Sequence, residues 1–427
     1  MTSLNLLLWI VGALVLQLAI YLAMGFWRHW QNYDALRAAV TEGEGGLPTT
    51  VKDNLLDTKP VSGAWSGWRT FKVTHKVVEN AVGDICSFHL ESQDGQALPT
   101  FMPGQYLTFR LEIPLPGGQT EVVTRCYSLS DGPHTNAYRV SIKREPAPPN
   151  TAHPPGRSSN FFHDQVPLGG LLQVRAPAGH FHLDRSDAPV VLLAGGIGIT
   201  PMLSMVNWCF TEQPEREVWL FYGARHSREL MAAAHLEALA DMHPNFHLHF
   251  CLSGADENVS MASPYQRPGR VDVDLLRRLL PLKPFHFYLC GPTPMLESLV
   301  PALEDWGVPD ARIHFEAFGP ASVKRKSAVS PSAAEATAQA RGPTVSVHFV
   351  KSGKQVAWQP ASANLLDFAE AQGIAVDSGC RAGSCGSCQT RIQHGEVSYR
   401  EAPDFDPEPG TCLMCVCTPK TAVFLEL

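Results

Sequence analysis

The chain has 427 residues, a formal net charge of −7 at pH 7 and 11 cysteines. This length predicts several domains rather than one, and the weakly acidic balance argues against nucleic-acid binding, which uses a basic surface. An odd number of cysteines without a regular framework suits a reducing compartment.

The first element is an apolar segment over residues 4–27 that contains no Asp, Glu, Lys or Arg. A helix of this length crosses a bilayer core of about 30 Å. Arg28 and Arg37 follow it, so the positive-inside rule places the rest of the chain in the cytoplasm. A cleaved signal peptide is the alternative, although no Lys or Arg precedes the segment. We therefore expect a single-pass anchor in the lipid bilayer of the inner membrane, with catalytic domains on the cytoplasmic side after a stalk over residues 28–64.

Residues 65–184 predict a small antiparallel β-barrel, because short β-rich runs alternate with turns that contain Gly and Pro. The expected strands are Phe71–Val78, Ile85–Leu90, Tyr106–Ile113, Val122–Ser130, Tyr138–Lys143 and Leu171–Arg175. The run from Arg125 through Tyr127 to Ser128 offers a guanidinium, a ring and a hydroxyl, which suit a phosphate and a flat heterocycle. Ser159 precedes a predicted helix over Phe161–Val166 whose N-terminus suits a pyrophosphate. Alone, each motif also fits ordinary packing or an N-cap serine.

Residues 185–320 alternate apolar strands with helical patterns, which predicts βαβ units around a parallel sheet. The expected strands are Pro189–Ala194, Val218–Tyr222, Phe246–Leu252, His286–Cys290 and Ile313–Phe315, and the expected helices are Pro201–Phe210, Glu229–Met242, Val273–Leu280 and Pro294–Trp306. A glycine-rich turn with Gly195 and Gly196 leads to Thr200 after the first strand, where a parallel sheet receives a dinucleotide phosphate. Cys290 begins a second turn at the carboxyl end of a later strand.

An Ala-, Ser- and Pro-rich linker over residues 321–342 leads to a third domain, residues 343–427. Cys380, Cys385 and Cys388 there have the C-x4-C-x2-C spacing that, with a distant fourth cysteine, holds a [2Fe–2S] cluster. The residues alone leave the fourth ligand open, because Cys412, Cys415 and Cys417 all follow.

In order and spacing these motifs resemble the ferredoxin–NADP⁺ reductase superfamily over about residues 65–320, above all the reductase half of the flavohemoglobins, whereas the order of the domains is similar to that of the phthalate dioxygenase reductase type. The motifs that carry the resemblance are Arg125-Cys-Tyr-Ser128, Lys143-Arg-Glu145, Ser159-Asn-Phe161, Ala176-Pro-Ala-Gly179, Thr200-Pro-Met-Leu203, Tyr288-Leu-Cys-Gly-Pro292 and His314-Phe-Glu-Ala-Phe-Gly-Pro320. Residues 364–419 resemble the plant-type ferredoxins, which places Cys415 on the last ligand position of that family.

The resemblance implies a cofactor contact for each matching position. Flavin contacts fall on Arg125, Tyr127, Ser128, Lys143 and Ser159, dinucleotide contacts on Gly195, Gly196 and Thr200, and positions beside the reacting rings on Cys290, Glu316 and Phe318. Of these, it implies catalytic roles for Ser128, near the flavin N5, and for Cys290 and Glu316. Extra Pro-rich residues between Arg144 and Gly156 depart from the pattern and alter the approach to Ser159.

The predicted fold class is thus multidomain: a single N-terminal transmembrane helix, an antiparallel β-barrel flavin domain, an α/β parallel-sheet nucleotide domain and a β-grasp-like ferredoxin domain. The implied cofactors are FAD, with FMN as the alternative, a [2Fe–2S] cluster, and NADH, with NADPH as the alternative. A flavin takes hydride from the nicotinamide and releases electrons singly, so we expect a reductase that passes electrons through the cluster to a redox partner protein.

We expect that partner to be a membrane-bound oxygenase, desaturase or hydroxylase, with a soluble Rieske oxygenase or cytochrome P450 as the next choice. An alternative function is the flavin/iron–sulfur subunit of a respiratory NADH:quinone oxidoreductase, although there the ferredoxin precedes the flavin domain. A redox-sensing module without turnover is a further alternative.

Overall fold

The computed structural model describes residues 65, 67–115, 117–134, 136–147, 154–254, 263–318, 345–359, 362–376, 378–379, 381, 383, 385–399, 403, 405 and 407–427. The predicted membrane segment 4–27, stalk 28–64, linker 321–342 and ligand Cys380 lie outside these residues.

The first domain is the predicted antiparallel barrel. Its strands are β1 (Arg69–Val78), β2 (Ile85–Ser92), β3 (Tyr106–Pro114), β4 (Thr120–Ser128), β5 (Tyr138–Lys143) and β6 (Leu171–Ala178), paired in the order β4-β3-β6-β1-β2-β5. A bridge between Leu129 and Val140 joins the two outer strands and closes the sheet. Helix α1 (Arg157–Gln165) places Phe162 in the barrel core.

The second domain contains a parallel six-stranded sheet with helices between its strands. Its strands are β7 (Val190–Gly195), β8 (Val218–Ala224), β9 (Phe246–Leu252), β10 (Gln266–Pro268), β11 (His286–Gly291) and β12 (Ile313–Ala317), and its helices are α2 (Ile199–Glu212), α3 (Ala233–Met242), α4 (Val273–Leu279) and α5 (Thr293–Asp305). Every residue of β7 is buried, as expected of a strand covered on both faces.

The strand order β10-β9-β8-β7-β11-β12 places the first strand of this sheet at its centre. The chain runs outward from β7 to β8 and β9, then returns to β11 on the other side, so β7 and β11 flank the topological switch point. Ala194 is in register with Cys290, so both predicted turns leave the same edge of the sheet. Ligands of open α/β sheets bind in this crevice.

The third domain is a small mixed sheet with one helix and an added two-stranded ribbon. Strands β13 (Ser346–Phe349), β14 (Lys354–Ala357), β15 (Gln389–His394), β17 (Thr411–Leu413) and β19 (Val423–Leu425) pair in the order β14-β13-β19-β15-β17, and β16 (Val397–Tyr399) pairs with β18 (Cys417–Pro419). Helix α6 (Leu365–Ala371) begins at Asn364, whose Oδ1 accepts from the Asp367 N–H at 2.8 Å. Leu365, Leu366 and Phe368 of this helix enter the domain core.

The predicted fold class is wrong in its membrane component. Within the described ranges, no helix combines the length and apolar character needed to cross a bilayer. The longest of them, α2, has 14 residues, which span about 21 Å against a bilayer core of about 30 Å. The described fold class is therefore barrel, α/β domain and β-grasp-like domain. The location at the cytoplasmic side of the inner membrane, inferred from residues 4–27, stays a prediction.

Candidate functional site

A cavity of about 900 Å³, including its open mouth, is lined by residues of all three domains. The predicted site residues that line it are Tyr127, Ser128, Lys143, Ser159, Thr200, Glu316 and Phe318. The cavity is also lined by residues for which the sequence predicted no role, namely Tyr106, Cys126, Ser141, Ile142, Glu145, Ile197, Ala317 and Gly379. Arg125, Gly195, Gly196 and Cys290 are not among the lining residues.

The barrel contributes an aromatic and hydroxyl wall at the end of β4. The Tyr127 ring makes edge contacts with Phe162, at 5.2 Å between centroids, and with Phe109, at 5.8 Å. Burial raises the pKa of the Tyr127 phenol, so the ring stays neutral. Ser128 is buried beside it, in register with Tyr106 of β3. A fixed ring with adjacent hydroxyls is the surface that a flat, polar-edged heterocycle needs.

The second wall is formed by the end of β5 and the first turn of α1. The helix begins at Arg157 rather than at the predicted Phe161, so Ser159 lies within its first turn and does not precede it. Gly156, the residue before the helix, makes no side-chain cap, which leaves the first backbone N–H groups available to an anion. Lys143 lies 3.5 Å from Asp84 and adds a cation at the same wall.

Arg125 is a predicted flavin contact that does not line the cavity. It belongs to β4, but its Nη1 donates to the Thr124 carbonyl at 2.7 Å. The side chain therefore lies beside the cavity wall rather than among its lining residues, and its predicted contact with flavin phosphate stays a prediction.

The glycine-rich turn after β7 is packed tightly on one side and open on the other. A Cβ placed on Gly198 would lie 2.1 Å from the Cys290 carbonyl oxygen, so only glycine allows this approach of the turn to β11. Gly196 has φ +53° and would meet nothing within 4 Å. The Thr200 hydroxyl donates to the Ile197 carbonyl at 3.0 Å and fixes the start of α2. The open backbone at Gly196 fits the approach of a dinucleotide phosphate.

Cys290 lies inside the central sheet and is fully buried. Its thiol pKa is raised well above the ordinary range, first by burial and then by the nearby Glu316 carboxylate. Cys290 is in register with Glu316 of β12, and of this pair Glu316 reaches the cavity. The thiol therefore stays protonated, and the catalytic position beside the nicotinamide ring that the resemblance implies for Cys290 stays a prediction.

Three of the four predicted cluster ligands are described. Cys385, Cys388 and Cys415 are all buried, and the Sγ of Cys388 lies 3.2 Å from the Sγ of Cys415. The Ser387 N–H donates to the Cys385 Sγ at 3.5 Å, as a small-residue loop around cluster sulfur requires. The loop therefore fits a [2Fe–2S] cluster.

The alternative fourth ligands have a different environment. Cys412 and Cys417 are fully buried in the domain core, on β17 and β18. The pKa of the Cys417 thiol is raised, first by its hydrogen bond with Cys412 and then by burial. Two thiols that share a hydrogen bond inside the core serve packing. Cys415, in contrast, lies in the turn between the two strands.

Three family matches agree with these sites. Residues 70–183 match the oxidoreductase FAD-binding domain, residues 192–300 match the oxidoreductase NAD-binding domain, and residues 349–420 match the 2Fe-2S iron-sulfur cluster binding domain. These matches confirm FAD, the nicotinamide nucleotide and the [2Fe–2S] cluster as the cofactors.

Known proteins resemble the chain over different lengths. A flavohemoprotein of Bacillus thuringiensis subsp. konkukian is 38% identical over 261 residues, which are 61% of this chain and 63% of that protein. The chain thus spans less than two thirds of that relative. Phthalate dioxygenase reductase, described as a modular structure for electron transfer from pyridine nucleotides to [2Fe-2S], is 27% identical, with a TM-score of 0.49 and coverage of 84% of this chain and 98% of that one.

An intact type IV self-sufficient cytochrome P450 monooxygenase shares the fold over 89% of this chain and 44% of its own, with 22% identity and a TM-score of 0.53. The chain therefore joins an oxidoreductase FAD-binding domain and an NAD-binding domain to a C-terminal 2Fe-2S domain, which is the domain set of an NAD(P)H-dependent flavin and iron–sulfur oxidoreductase, and the three domains line one cavity.

Proposed function

We propose that the chain is an electron-transfer reductase that oxidises NADH and delivers single electrons to an oxygenase, desaturase or hydroxylase. The observation that carries this proposal is the convergence of three domains on one cavity. Tyr127 of the barrel, Thr200 and Glu316 of the nucleotide domain, and Gly379 of the ferredoxin domain all line it. A flavin bound there would have the nucleotide crevice on one side and the cluster loop on another.

When bound, FAD accepts hydride and releases electrons singly, and the cluster carries single electrons. The chain's own residues would bind and orient the flavin and shield it from water. Tyr127 supplies a neutral ring fixed by Phe162, and Ser128 holds a buried hydroxyl at the same wall. Phe318, which is 42% exposed, stands at the nucleotide side, where a ring can cover the cavity and exclude water until the nucleotide enters.

The last electron carrier in the proposed route is the 2Fe-2S domain, so the partner should accept electrons one at a time. A plant-type cluster exchanges single electrons, and oxygenases, desaturases and hydroxylases use such electrons to activate dioxygen at a metal. The alternative of a respiratory subunit would predict quinone as acceptor and stable association with further membrane proteins. No contact of the described residues favours that alternative over a stand-alone reductase.

NADH rather than NADPH is supported by the residues after β8. Arg225 follows β8 and pairs with Glu229, whose carboxylate oxygen lies 3.3 Å from the Arg225 Nε. Glu229 is the less exposed of the two, with 15% of its side chain accessible. A carboxylate at this edge accepts from a ribose hydroxyl and repels a phosphate.

The test compares two acceptors in purified, cluster-loaded protein and in a Cys385→Ala variant. We expect the full protein to oxidise NADH with both ferricyanide and cytochrome c. The variant should retain ferricyanide reduction, which needs the flavin alone, and lose cytochrome c reduction, which needs the cluster. Negligible NADH oxidation with either acceptor would contradict the proposal and favour a redox-sensing module. A purified oxygenase supplied with NADH through this chain would then test the partner class by product formation.

A further inference from the structure

Arg175 of β6 joins the barrel to the cluster loop. Its Nη1 donates to the backbone carbonyl of Cys385, a predicted cluster ligand, at 3.2 Å. Its guanidinium is stacked between the rings of Trp68, at 4.5 Å, and Phe405, at 4.6 Å. Trp68 precedes the first barrel strand and Phe405 belongs to the ferredoxin domain, so a single cation is held by both domains.

The environment of Arg175 is not that of an ordinary surface arginine. Its Nε is buried and has no hydrogen-bond partner, so this side chain loses hydration that its contacts do not fully replace. Two aromatic faces and one carbonyl nevertheless hold the guanidinium plane in a single orientation. A fixed cation at this place favours the arrival of negative charge on the adjacent loop.

The same place connects the cavity with the cluster loop. Arg175 is in register with Thr108 of β3, whose Oγ1 lies 3.5 Å from the Sγ of Cys126. Cys126 lines the cavity, as does Gly379. A Cβ placed on Gly379 would lie 2.9 Å from the Cys385 Sγ and 3.5 Å from the Cys126 Sγ. One backbone residue therefore separates the cavity from the ligand sulfur.

We propose that Arg175 is a positioning residue that holds the cluster loop against the flavin cavity and favours the reduced state of the cluster. The inference rests on the proposed function, because it concerns the transfer of electrons from the flavin to the iron–sulfur site. The step is a one-electron transfer in which the flavin site loses one electron and the cluster site gains it. No bond is made or broken, and NADH is the source of the electrons.

The experiment uses the full chain loaded with FAD and cluster, in wild-type form and as Arg175→Met and Arg175→Lys. Anaerobic rapid mixing with NADH follows flavin and cluster reduction separately, and an equilibrium titration gives the cluster potential. In Arg175→Met we expect flavin reduction to be unchanged, cluster reduction to slow by about tenfold or more, and the potential to move to more negative values. Arg175→Lys keeps the charge, so it should retain the potential while recovering only part of the rate.

Two further variants separate positioning from general damage. Arg110→Met removes an exposed cation from the neighbouring strand β3 and should leave both rates and the potential unchanged. Trp68→Leu removes one stacking face without touching the cluster loop, and it should slow cluster reduction at constant iron content, even if Arg175→Met fails to retain its cluster.

The inference would be overturned if Arg175→Met reduced its cluster at the wild-type rate and with the wild-type potential. If Arg175→Met loses its iron, a wild-type rate of cluster reduction in Trp68→Leu would overturn the inference instead. Absence of flavin reduction in the wild type would instead refute the proposed function.

Discussion

The Sγ of Cys388 lies 3.2 Å from the Sγ of Cys415, although 27 positions separate them in the chain. Cys388 lies in the turn that leads into β15, and Cys415 lies between β17 and β18. Strand β15 pairs with β17, with Gln389 opposite Leu413, and this pairing brings the two loops together. The short pairing of β15 with β17 thus places Cys415 beside the C-x4-C-x2-C motif.

The first prediction distinguishes Cys415 from the nearby Cys412 as the fourth ligand of the cluster. Cys415→Ala should abolish the cluster, because it removes a sulfur from the loop, whereas Cys412→Ala should retain it and lose only packing, about 1–2 kcal/mol of unfolding free energy. Iron and sulfide content, visible absorption and thermal unfolding measure both. Loss of iron in Cys412→Ala at unchanged secondary structure, with retention in Cys415→Ala, would reverse the assignment of the fourth ligand.

The second prediction concerns the open turn at Gly196, for which the chain offers a matched control. Gly196 (φ +53°) and Gly307 (φ +87°) both have left-handed backbones, and an added Cβ would meet nothing within 4 Å at either. Alanine at either position should therefore cost about 1–2 kcal/mol of stability from backbone strain. Only Gly196→Ala should also raise the KM for NADH, by about tenfold for a loss of about 1.4 kcal/mol in binding.

Steady-state kinetics with varied NADH, together with thermal unfolding, check this expectation. Equal KM values in the two alanine variants would show that the nucleotide does not approach the turn at Gly196.

Most of the fold was predictable because its signals are local. Strand β5 has the predicted bounds Tyr138–Lys143, and the buried strand of the second domain, predicted over Pro189–Ala194, spans Val190–Gly195. The helix expected to start at Glu229 begins instead at Ala233, because Ala232 has φ +55° and a short 3-10 turn precedes it. Strand β10 has three residues and depends on its pairing with β9, so no periodic pattern could indicate it.

The candidate site was predictable where one short motif supplied its residues. Tyr127 and Ser128 belong to such a motif and line the cavity, and Cys126, the residue before Tyr127, lines the same cavity although no role was predicted for it. Gly379 and Arg175 could not be inferred, because their roles arise from the contact between the barrel and the ferredoxin domain. No local pattern records which barrel strand faces a loop more than 200 residues away.

The third prediction is that the second domain loses folding stability as the pH falls. His249 of β9 is buried beside the rings of Trp219 and Phe221, and its Nδ1 accepts from the Arg267 Nε at 3.0 Å. Burial, followed by the Arg267 charge, lowers the pKa of His249 from 6.5 to about 4. The unfolded chain binds this proton more readily than the folded one, so stability is complete above about pH 6.5 and falls as the pH decreases toward about 4.

Thermal unfolding between about pH 7 and about pH 5 should show this loss, to which His249 contributes roughly 1–2 kcal/mol. His249→Gln keeps an acceptor for Arg267 and cannot titrate, so its stability should depend less on pH. His134→Gln, which removes a largely exposed imidazole, serves as the control and should behave as the wild type. An unchanged pH dependence in His249→Gln would exclude His249 as the titrating group.

The fourth prediction tests the cavity wall through Tyr127. In Tyr127→Leu the flat face that the flavin ring system would contact is lost, so the affinity for FAD should fall by about tenfold, as expected for the loss of about 1.4 kcal/mol from an aromatic pair. Phe88→Leu is the matched control, because Phe88 also makes an edge contact with Phe162, at 5.3 Å, but does not line the cavity.

Both changes remove a ring that makes an edge contact with Phe162, so both should lower the barrel's stability. Only the tyrosine variant should weaken binding when apoprotein is titrated with FAD. Equal losses of affinity would mean that Tyr127 acts through core packing alone, and unaltered affinity in Tyr127→Leu would remove it from the flavin site.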